Sequence, residues 1–263
     1  MKRMFLEELK INLKALLIWS IAVGIMGFSC ILLFQSMEGE IQGMADAFSN
    51  MGAFSDAFGM STLSIASIEG FFATEVGTVH GLGGAMFAAI LAIGIISKEE
   101  EGHTGEFTFS FPVSRKKVVA AKGLCVLIML TAFTVICTLL YLLGFKMLGE
   151  EPPMGDFMTF MLRQYLMNIE IGGICFGISA LSGKNRTGLG IGLAMVFYFY
   201  DVIGRVVPDL KDYLFIGPFS YANASEIFSG KEAPAAAFVM AAVLVFAGVL
   251  SAFVCIDKRD LAS

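Results

Sequence analysis

The chain has 263 residues, of which 57% are hydrophobic and 16% are charged. An average soluble domain has about a quarter of its residues charged, so this composition excludes an ordinary soluble protein and predicts an all-α, polytopic membrane protein. The net charge of −5 at pH 7 tells less than the position of each charge along the chain.

The first segment, 1–14, is predicted to be an amphipathic helix lying at the membrane interface. Phe5, Leu9 and Leu13 recur at helical spacing, and charged residues lie between them. No small-residue cleavage site follows this segment. We therefore expect the first apolar segment to remain in the membrane as an anchor.

Six apolar segments are long enough to cross a bilayer, which takes about 20 residues. We place these spans at 15–35, 80–97, 122–146, 159–182, 187–207 and 234–256. Together they predict a single transmembrane domain over residues 1–263, with an outer loop at 36–79, a polar connection at 98–122 and a second outer segment at 208–233.

The distribution of Lys and Arg predicts the orientation of these spans. Thirteen of these residues lie in segments that alternate spans place on one side, and five lie on the other. Cytoplasmic loops carry the excess of positive charge. Both termini and the 98–122 connection are therefore expected in the cytoplasm.

The two outer segments have distinct compositions. Segment 36–79 has no Lys or Arg but several acidic residues, methionines and phenylalanines. It is either a lid resting in the interface or a flexible surface that meets an amphiphilic or cationic substrate, because methionine side chains adapt their shape. In segment 208–233, Pro218 and nearby aromatic residues favour short interfacial or re-entrant helices.

The sequence offers no catalytic or metal-binding motif. His80 and His103 are expected far apart, and the five cysteines show no close pairing and are interpreted as buried free thiols. Gly183-Lys184 is followed by Asn185 instead of the Ser or Thr of a phosphate-binding loop. We expect a chain that is not an enzyme, holds no metal and needs a partner for any ATP-driven work.

Polar residues inside the predicted spans are the remaining candidates for function. Asn168 and Glu170 lie deep in the fourth span, where an ionisable group is costly. They form part of a polar substrate path, or Glu170 pairs with another helix, or it is protonated. Asp201 and Arg205 are four residues apart, which predicts an ion pair within one helix.

The longest polar interruption, Ser97–Lys122, carries a family resemblance. It opens with four consecutive charges and continues with the runs EGHTGE at 101–106 and FPVSR at 111–115. These runs resemble the signature of ABC-2 type ABC transporter permeases. The turn ALSGKNRTGLGIG and the segment 213–221, with its Gly-Pro-Phe, are similar to two further elements of that family.

The resemblance implies a half-transporter of six spans, with a coupling helix between the second and third. It implies two separate ABC ATPase subunits, which bind ATP and Mg, and a second permease subunit that is identical or paralogous. It implies no cofactor on this chain, no nucleic-acid partner and a bacterial cell membrane. The implied ATPase-coupling residues are Glu99, Glu100, Glu101, Gly102, Thr104, Glu106, Pro112, Ser114 and Arg115.

The predicted function is that of the permease subunit of an ATP-driven exporter for an amphiphile, such as an antimicrobial peptide, a lipid or a drug-like molecule. One alternative is an intramembrane enzyme or an ATP-independent secondary transporter. A single carboxylate deep in the membrane and the lack of an internal repeat argue against it. The other alternative is a non-transporting immunity or sensor protein that keeps the same scaffold.

Overall fold

The computed structural model describes residues 2–37, 39–49, 51–60, 62–102 and 114–258. Every regular element within these ranges is helical. The α-helices are α1 (Lys2–Met37), α2 (Ile41–Ser49), α3 (Ala53–Phe58), α4 (Ile68–Phe71), α5 (Gly77–Ile93), α6 (Lys98–Glu101), α7 (Arg115–Leu148), α8 (Met154–Leu181), α9 (Thr187–Val206), α10 (Ala224–Phe228) and α11 (Ala235–Lys258). A π-helix, Phe72–Val76, joins α4 to α5, and two 3₁₀ helices, Pro208–Ile216 and Pro218–Tyr221, precede α10.

Five stretches of the described chain are helical, long and apolar enough to cross a membrane. They are Arg3–Met37, Ile68–Ile93, Arg115–Leu148, Thr187–Val206 and Ala235–Ile256. The predicted fourth span corresponds to α8, which has 28 residues and is therefore long enough. Its polar residues, among them Gln164, Asn168 and Glu170, make its most apolar stretch less apolar than those of the other five.

The N-terminal helix differs from the prediction of an interfacial helix followed by a span. Residues 2–37 form one continuous helix of 36 residues, about 54 Å long at 1.5 Å per residue. Glu8, one of the charged residues between the apolar positions of this segment, is buried and bonded to Lys122 of α7. The interfacial segment is therefore not a separate element, because its inward face packs on α7 as the rest of α1 does.

The second predicted span begins twelve residues earlier than expected, at Ile68 instead of residue 80. The Ser67 hydroxyl caps α4 by accepting a hydrogen bond from the Gly70 amide at 3.0 Å. Beyond it, the π-helix places Phe72 at the centre of a cluster of aromatic rings. Its ring neighbours are Tyr141, Phe145, Phe157, Phe160 and Phe228.

The long helices alternate in direction along the chain, which the contacts between them establish. Helices α1 and α7 run parallel, since Asn12 lies beside Cys125 and Gly27 beside Tyr141. Helices α5 and α8 also run parallel, as do α8 and α11. The start of α1, the end of α5, α6, the start of α7, the α8–α9 turn and the end of α11 consequently meet at one end of the bundle, called here the α6 end.

Glycines bring α8 and α11 into backbone contact. A Cβ built on Gly248 would overlap the Gly173 carbonyl oxygen and would lie 2.7 Å from its carbon. Gly177 faces the same site. In contrast, a Cβ on Gly188 or Gly192 would meet no described atom within 4 Å, so this pair of glycines on α9 makes no such close contact within the described chain.

Candidate functional site

The α6 end contains those predicted coupling residues that the structure describes. Helix α6 follows α5 through a short turn and occupies the place predicted for the coupling helix. Thr104, Glu106 and Pro112 lie outside the described residues, as does the side chain of Glu100. Five predicted residues can therefore be placed: Glu99, Glu101, Gly102, Ser114 and Arg115.

The two described carboxylates of α6 bind different neighbours. Glu99 accepts a hydrogen bond from the Lys122 ammonium of α7 at 2.9 Å. Glu101 accepts one from the Asn185 amide in the α8–α9 turn at 3.0 Å. The Gly102 amide closes α6 by donating to the Lys98 carbonyl at 2.9 Å. Helix α6 is thus attached to two separate parts of the bundle.

The other two described coupling residues lie where α7 begins. The Ser114 carbonyl accepts from the Lys117 amide at 2.9 Å and starts the helix. The Arg115 guanidinium donates to the Ile256 carbonyl at 3.1 Å, near the end of α11. Arg115 therefore connects the start of α7 to the end of α11.

A group of four charges, two buried and two half-buried, lies directly beside α6 and is called here the Lys122 cluster. It comprises Glu8, Lys98, Glu99 and Lys122, and only 1% of Lys122 is exposed. Lys122 Nζ donates to Glu8 at 2.7 Å, to Glu99 at 2.9 Å and to the Ile95 carbonyl at 2.6 Å. Lys98 Nζ donates to the second Glu8 oxygen at 2.6 Å. Two cations balance two carboxylates, which is the condition for burying charge without a large penalty.

Sequence reasoning missed Glu8 and Lys122 as partners of α6. The available signal was a lysine within an otherwise apolar and small-residue run, because Ala120 and Ala121 precede Lys122 and Gly123 follows it. Such a lysine is rarely buried unless it is paired. Its partner could not be inferred, since Glu8 is 114 residues away.

Neutral hydrogen bonds hold the end of α5 against α8. The Ser179 hydroxyl accepts from the amides of Ile96 and Ser97 at 3.0 and 3.2 Å. These amides lie just past the last turn of α5, where the Ser179 side chain reaches them from α8. Ion pairs therefore hold the α6 end on the α1 and α7 side, whereas on the α8 side the bonds are the neutral ones of Ser179 and the single bond from the Asn185 amide to Glu101.

The two predicted substrate-path residues lie on different sides of α8. Asn168 is fully buried against Gly84 of α5, and both of its amide atoms have no hydrogen-bond partner among the described residues. Glu170 is buried and accepts from the Tyr221 hydroxyl at 2.8 Å. Residues two apart in a helix do not face the same way, and the structure does not bring these two together.

A second buried ionic group lies at the opposite end of the bundle. Arg205 donates to both Asp201 oxygens, at 2.8 and 3.0 Å, which confirms the predicted ion pair within α9. It also donates to Glu226 of α10 at 3.0 Å, a partner that the sequence did not indicate. Lys231 reaches the same Glu226 carboxylate at 2.6 Å. This group ties the 208–233 segment to α9.

The pKa of Glu226 predicts how the protein responds to acid. Burial alone would raise this pKa, but Arg205 and Lys231 together lower it below its ordinary value. A lowered folded-state pKa adds stability above the unfolded-state pKa, and this contribution is lost as the pH falls through the folded-state value. Between about pH 7 and about pH 3, we expect the wild type to lose more unfolding free energy than Glu226→Gln. Thermal unfolding of both proteins in detergent measures this difference, and parallel pH profiles would contradict it.

The remaining titratable candidates are buried among apolar groups. His80 lies within α5, where its Nδ1 is 3.0 Å from the Tyr141 hydroxyl and aromatic rings surround it. All five cysteines are free thiols, as the sequence predicts; Cys125, Cys137 and Cys175 are buried, whereas Cys30 and Cys255 are only partly buried. Within the described ranges, no group of three His, Cys, Asp or Glu side chains is arranged to hold a metal ion.

Comparison with known proteins identifies the chain over nearly its whole length. Residues 14–261 match the family model described as ABC-2 family transporter protein. The matched range includes α6 and every long helix, with only the first residues of α1 left out. A comparison with curated proteins gives no match.

Proposed function

The chain belongs to the ABC-2 family of transporter proteins, and on this basis we propose that it is the membrane-spanning permease subunit of an ATP-driven exporter. The family match over residues 14–261 is the observation that carries the proposal. Membership makes the chain a multi-pass membrane transport permease of a family that is typically non-enzymatic. Energy then comes from separate ABC ATPase subunits, which bind ATP and Mg.

The proposed arrangement has six spans, with α8 as the fourth. The alternating direction of the long helices supports this, because α8 runs parallel to α5 and α11 and packs along both. The α6 end then faces the cytoplasm of a bacterial cell together with both termini, in agreement with the excess of Lys and Arg there. A second permease subunit, identical or paralogous, completes the membrane part.

In this proposal, the ATPase contacts segment 98–117. Its candidate contact residues are Glu99, Glu100, Glu101, Gly102, Thr104, Glu106, Pro112, Ser114 and Arg115. Helix α6 supports the assignment, because it is short and lies directly between the second and third long helices. A rigid-body displacement of such an element moves both helices that it joins. Of the two described carboxylates, Glu101 is on an exposed residue, and Glu99 points inward to Lys122.

The proposed cargo is an amphiphile: a peptide, a lipid or a drug-like molecule. An open apolar groove of about 520 Å³ runs between α8 and α11, lined by Leu166, Phe238 and Phe246 among others. Tyr221, which also lines the groove, donates to the buried Glu170. A groove with an apolar wall and one polar corner suits a molecule that has both characters. Glu170 would therefore contact cargo through Tyr221, whereas Asn168 would act from the α5 side.

Charge reversal at α6 tests the coupling assignment. The complex is isolated through a tag on this chain, and bound ATPase subunit and ATP hydrolysis are measured for Glu101→Lys combined with Glu106→Lys. We expect the bound ATPase to fall about tenfold, equivalent to about 1.4 kcal/mol of binding free energy. Glu150→Lys, which reverses an exposed carboxylate at the opposite end, is the matched control and should retain the ATPase. Unchanged assembly and hydrolysis in the double variant would refute the coupling assignment.

Transport in sealed vesicles separates the proposed function from its main competitor. An exporter driven by ATP stops when nucleotide is withheld and continues when the proton gradient is dissipated. Transport that persists without ATP and stops with the gradient would instead identify a secondary transporter.

A further inference from the structure

We propose that Lys122 is a positioning residue that transmits the displacement of α6 to α1 and α7. It would make these two helices move as a pair relative to α8 and α9 during the ATP cycle. The inference rests on the proposed function, because it assumes that an ATPase displaces α6. It assigns a role to a buried lysine and to Glu8, neither of which belongs to the runs 101–106 and 111–115 that resemble the family signature.

Lys122 forms hydrogen bonds to several separate elements at once. An ammonium group has three N–H donors, and all three have acceptors here. The acceptors lie on three separate elements: Glu8 on α1, the Ile95 carbonyl at the end of α5, and Glu99 on α6. The Lys122 ammonium on α7 therefore links α7 to α1, to the end of α5 and to α6.

Separating these buried contacts would cost free energy. The Lys122 and Glu8 side chains are 2% and 6% exposed, and the Glu99 side chain is 17% exposed. Water cannot readily replace a partner at so buried a site, so separating the ions leaves charge uncompensated in a medium of low dielectric constant. Lys98 of α6 reinforces the link by binding the other oxygen of Glu8. A displaced α6 consequently moves α1 and α7 with it instead of breaking away.

The contacts on the opposite side of α6, toward α8 and α9, differ from those of the Lys122 cluster. There Glu101 accepts from a backbone amide of the α8–α9 turn, and Ser179 accepts from two amides at the end of α5. The Ser179 bonds are neutral, and the Glu101 bond lies at an exposed residue. A hydrogen bond with an ionised partner is roughly twice as strong as a neutral one, but exposure to solvent reduces what the Glu101 bond contributes. We therefore expect the α8–α9 side to yield before the buried contacts of the Lys122 cluster.

A distance measurement between α1 and α8 tests this division. Spin labels are placed at Ile11 and Leu181, which are 62% and 64% exposed, in a chain whose five cysteines are replaced by alanine. The complex with its ATPase is reconstituted, and the distance between the labels is compared in the nucleotide-free and vanadate-trapped states. We expect a shift in the wild type. Lys122→Met should lose at least half of it while ATPase subunit remains bound and ATP is still hydrolysed.

Matched variants separate transmission from simple destabilisation. Lys122→Arg keeps a cation with several donors and should recover most of the shift, which a purely structural defect would not predict. Glu8→Gln keeps Lys122 with Glu99 and Ile95 but removes the charge from both links to α1 and leaves one acceptor oxygen for two ammonium groups, so it should also lose at least half of the shift. Lys10→Met removes the exposed pair with Glu7 on the same helix and should leave the shift intact.

The outcomes distinguish this inference from the proposed function. A wild-type shift that Glu8→Gln retains in full overturns the inference, even if Lys122→Met fails to fold. Equal losses in Lys122→Arg and Lys122→Met overturn it as well. A wild-type complex that carries no ATPase subunit refutes the proposed function itself.

Discussion

Gly248→Val will separate α8 from α11 and lower the free energy of unfolding by about 3 kcal/mol, the upper end of the usual cost of overpacking. The loss of stability is large because the added Cβ overlaps the backbone carbonyl group of Gly173. A backbone group cannot move aside as the end of a side chain could. Gly177 lies one turn further along α8 in the same contact, so a small shift of α11 along its axis would not remove the overlap. The two helices can accommodate the valine only by moving apart.

Thermal unfolding of the purified protein in detergent measures this effect. Gly192→Val is the matched control, since it places the same β-branched side chain inside a long helix where no described atom lies within 4 Å. The control removes the contribution of valine to helix propensity. Equal stability of the two variants would show that α8 and α11 do not depend on their glycine contact.

Arg205→Met will destabilise the end of α9 by about 3–5 kcal/mol, because it leaves a buried carboxylate without its cation. Asp201 is 6% exposed and receives two hydrogen bonds from this one guanidinium. Glu226 loses the same partner but keeps Lys231. The uncompensated charge is therefore concentrated on Asp201.

Two further variants check the cause of this loss. Lys231→Met removes a partner whose side chain is 63% exposed and should cost less than about 1 kcal/mol. Asp201→Asn combined with Arg205→Met removes both charges and should recover part of the stability. If Arg205→Met and Lys231→Met unfold alike, the buried pair is not what holds this end of α9.

Local patterns in the sequence predicted the helical class and most of the long helices. Spans bounded by clear polar turns, such as α9, agree with the structure within one residue at each end. The start of the second span was placed too late, because Glu69 and Glu75 interrupt the apolar pattern there. The ion pair of Asp201 with Arg205 was predictable since both residues lie on one helix, four apart.

Contacts between distant segments could not be read from periodicity. The Lys122 cluster joins residues 90 and 114 positions apart, and the helical pattern of α1 does not indicate that Glu8 is buried. The pattern describes one helix at a time and does not show where a partner will cover its polar face. The prediction of the candidate site had the same limit. The resemblance indicated Glu99 as a coupling residue, but only the structure shows that its side chain points inward to Lys122.

The long separation between the partners of the Lys122 cluster has a consequence for the order of biosynthesis. A ribosome adds about 5–20 residues per second, so Lys122 is made many seconds after Glu8, and α1 must enter the membrane before α7 exists. Of the two lysines that bind Glu8, Lys98 of α6 is synthesised first. We therefore expect the cluster to close in two stages, first between α1 and α6 and later around Lys122. Closure of the second stage marks the point at which the first three long helices have assembled.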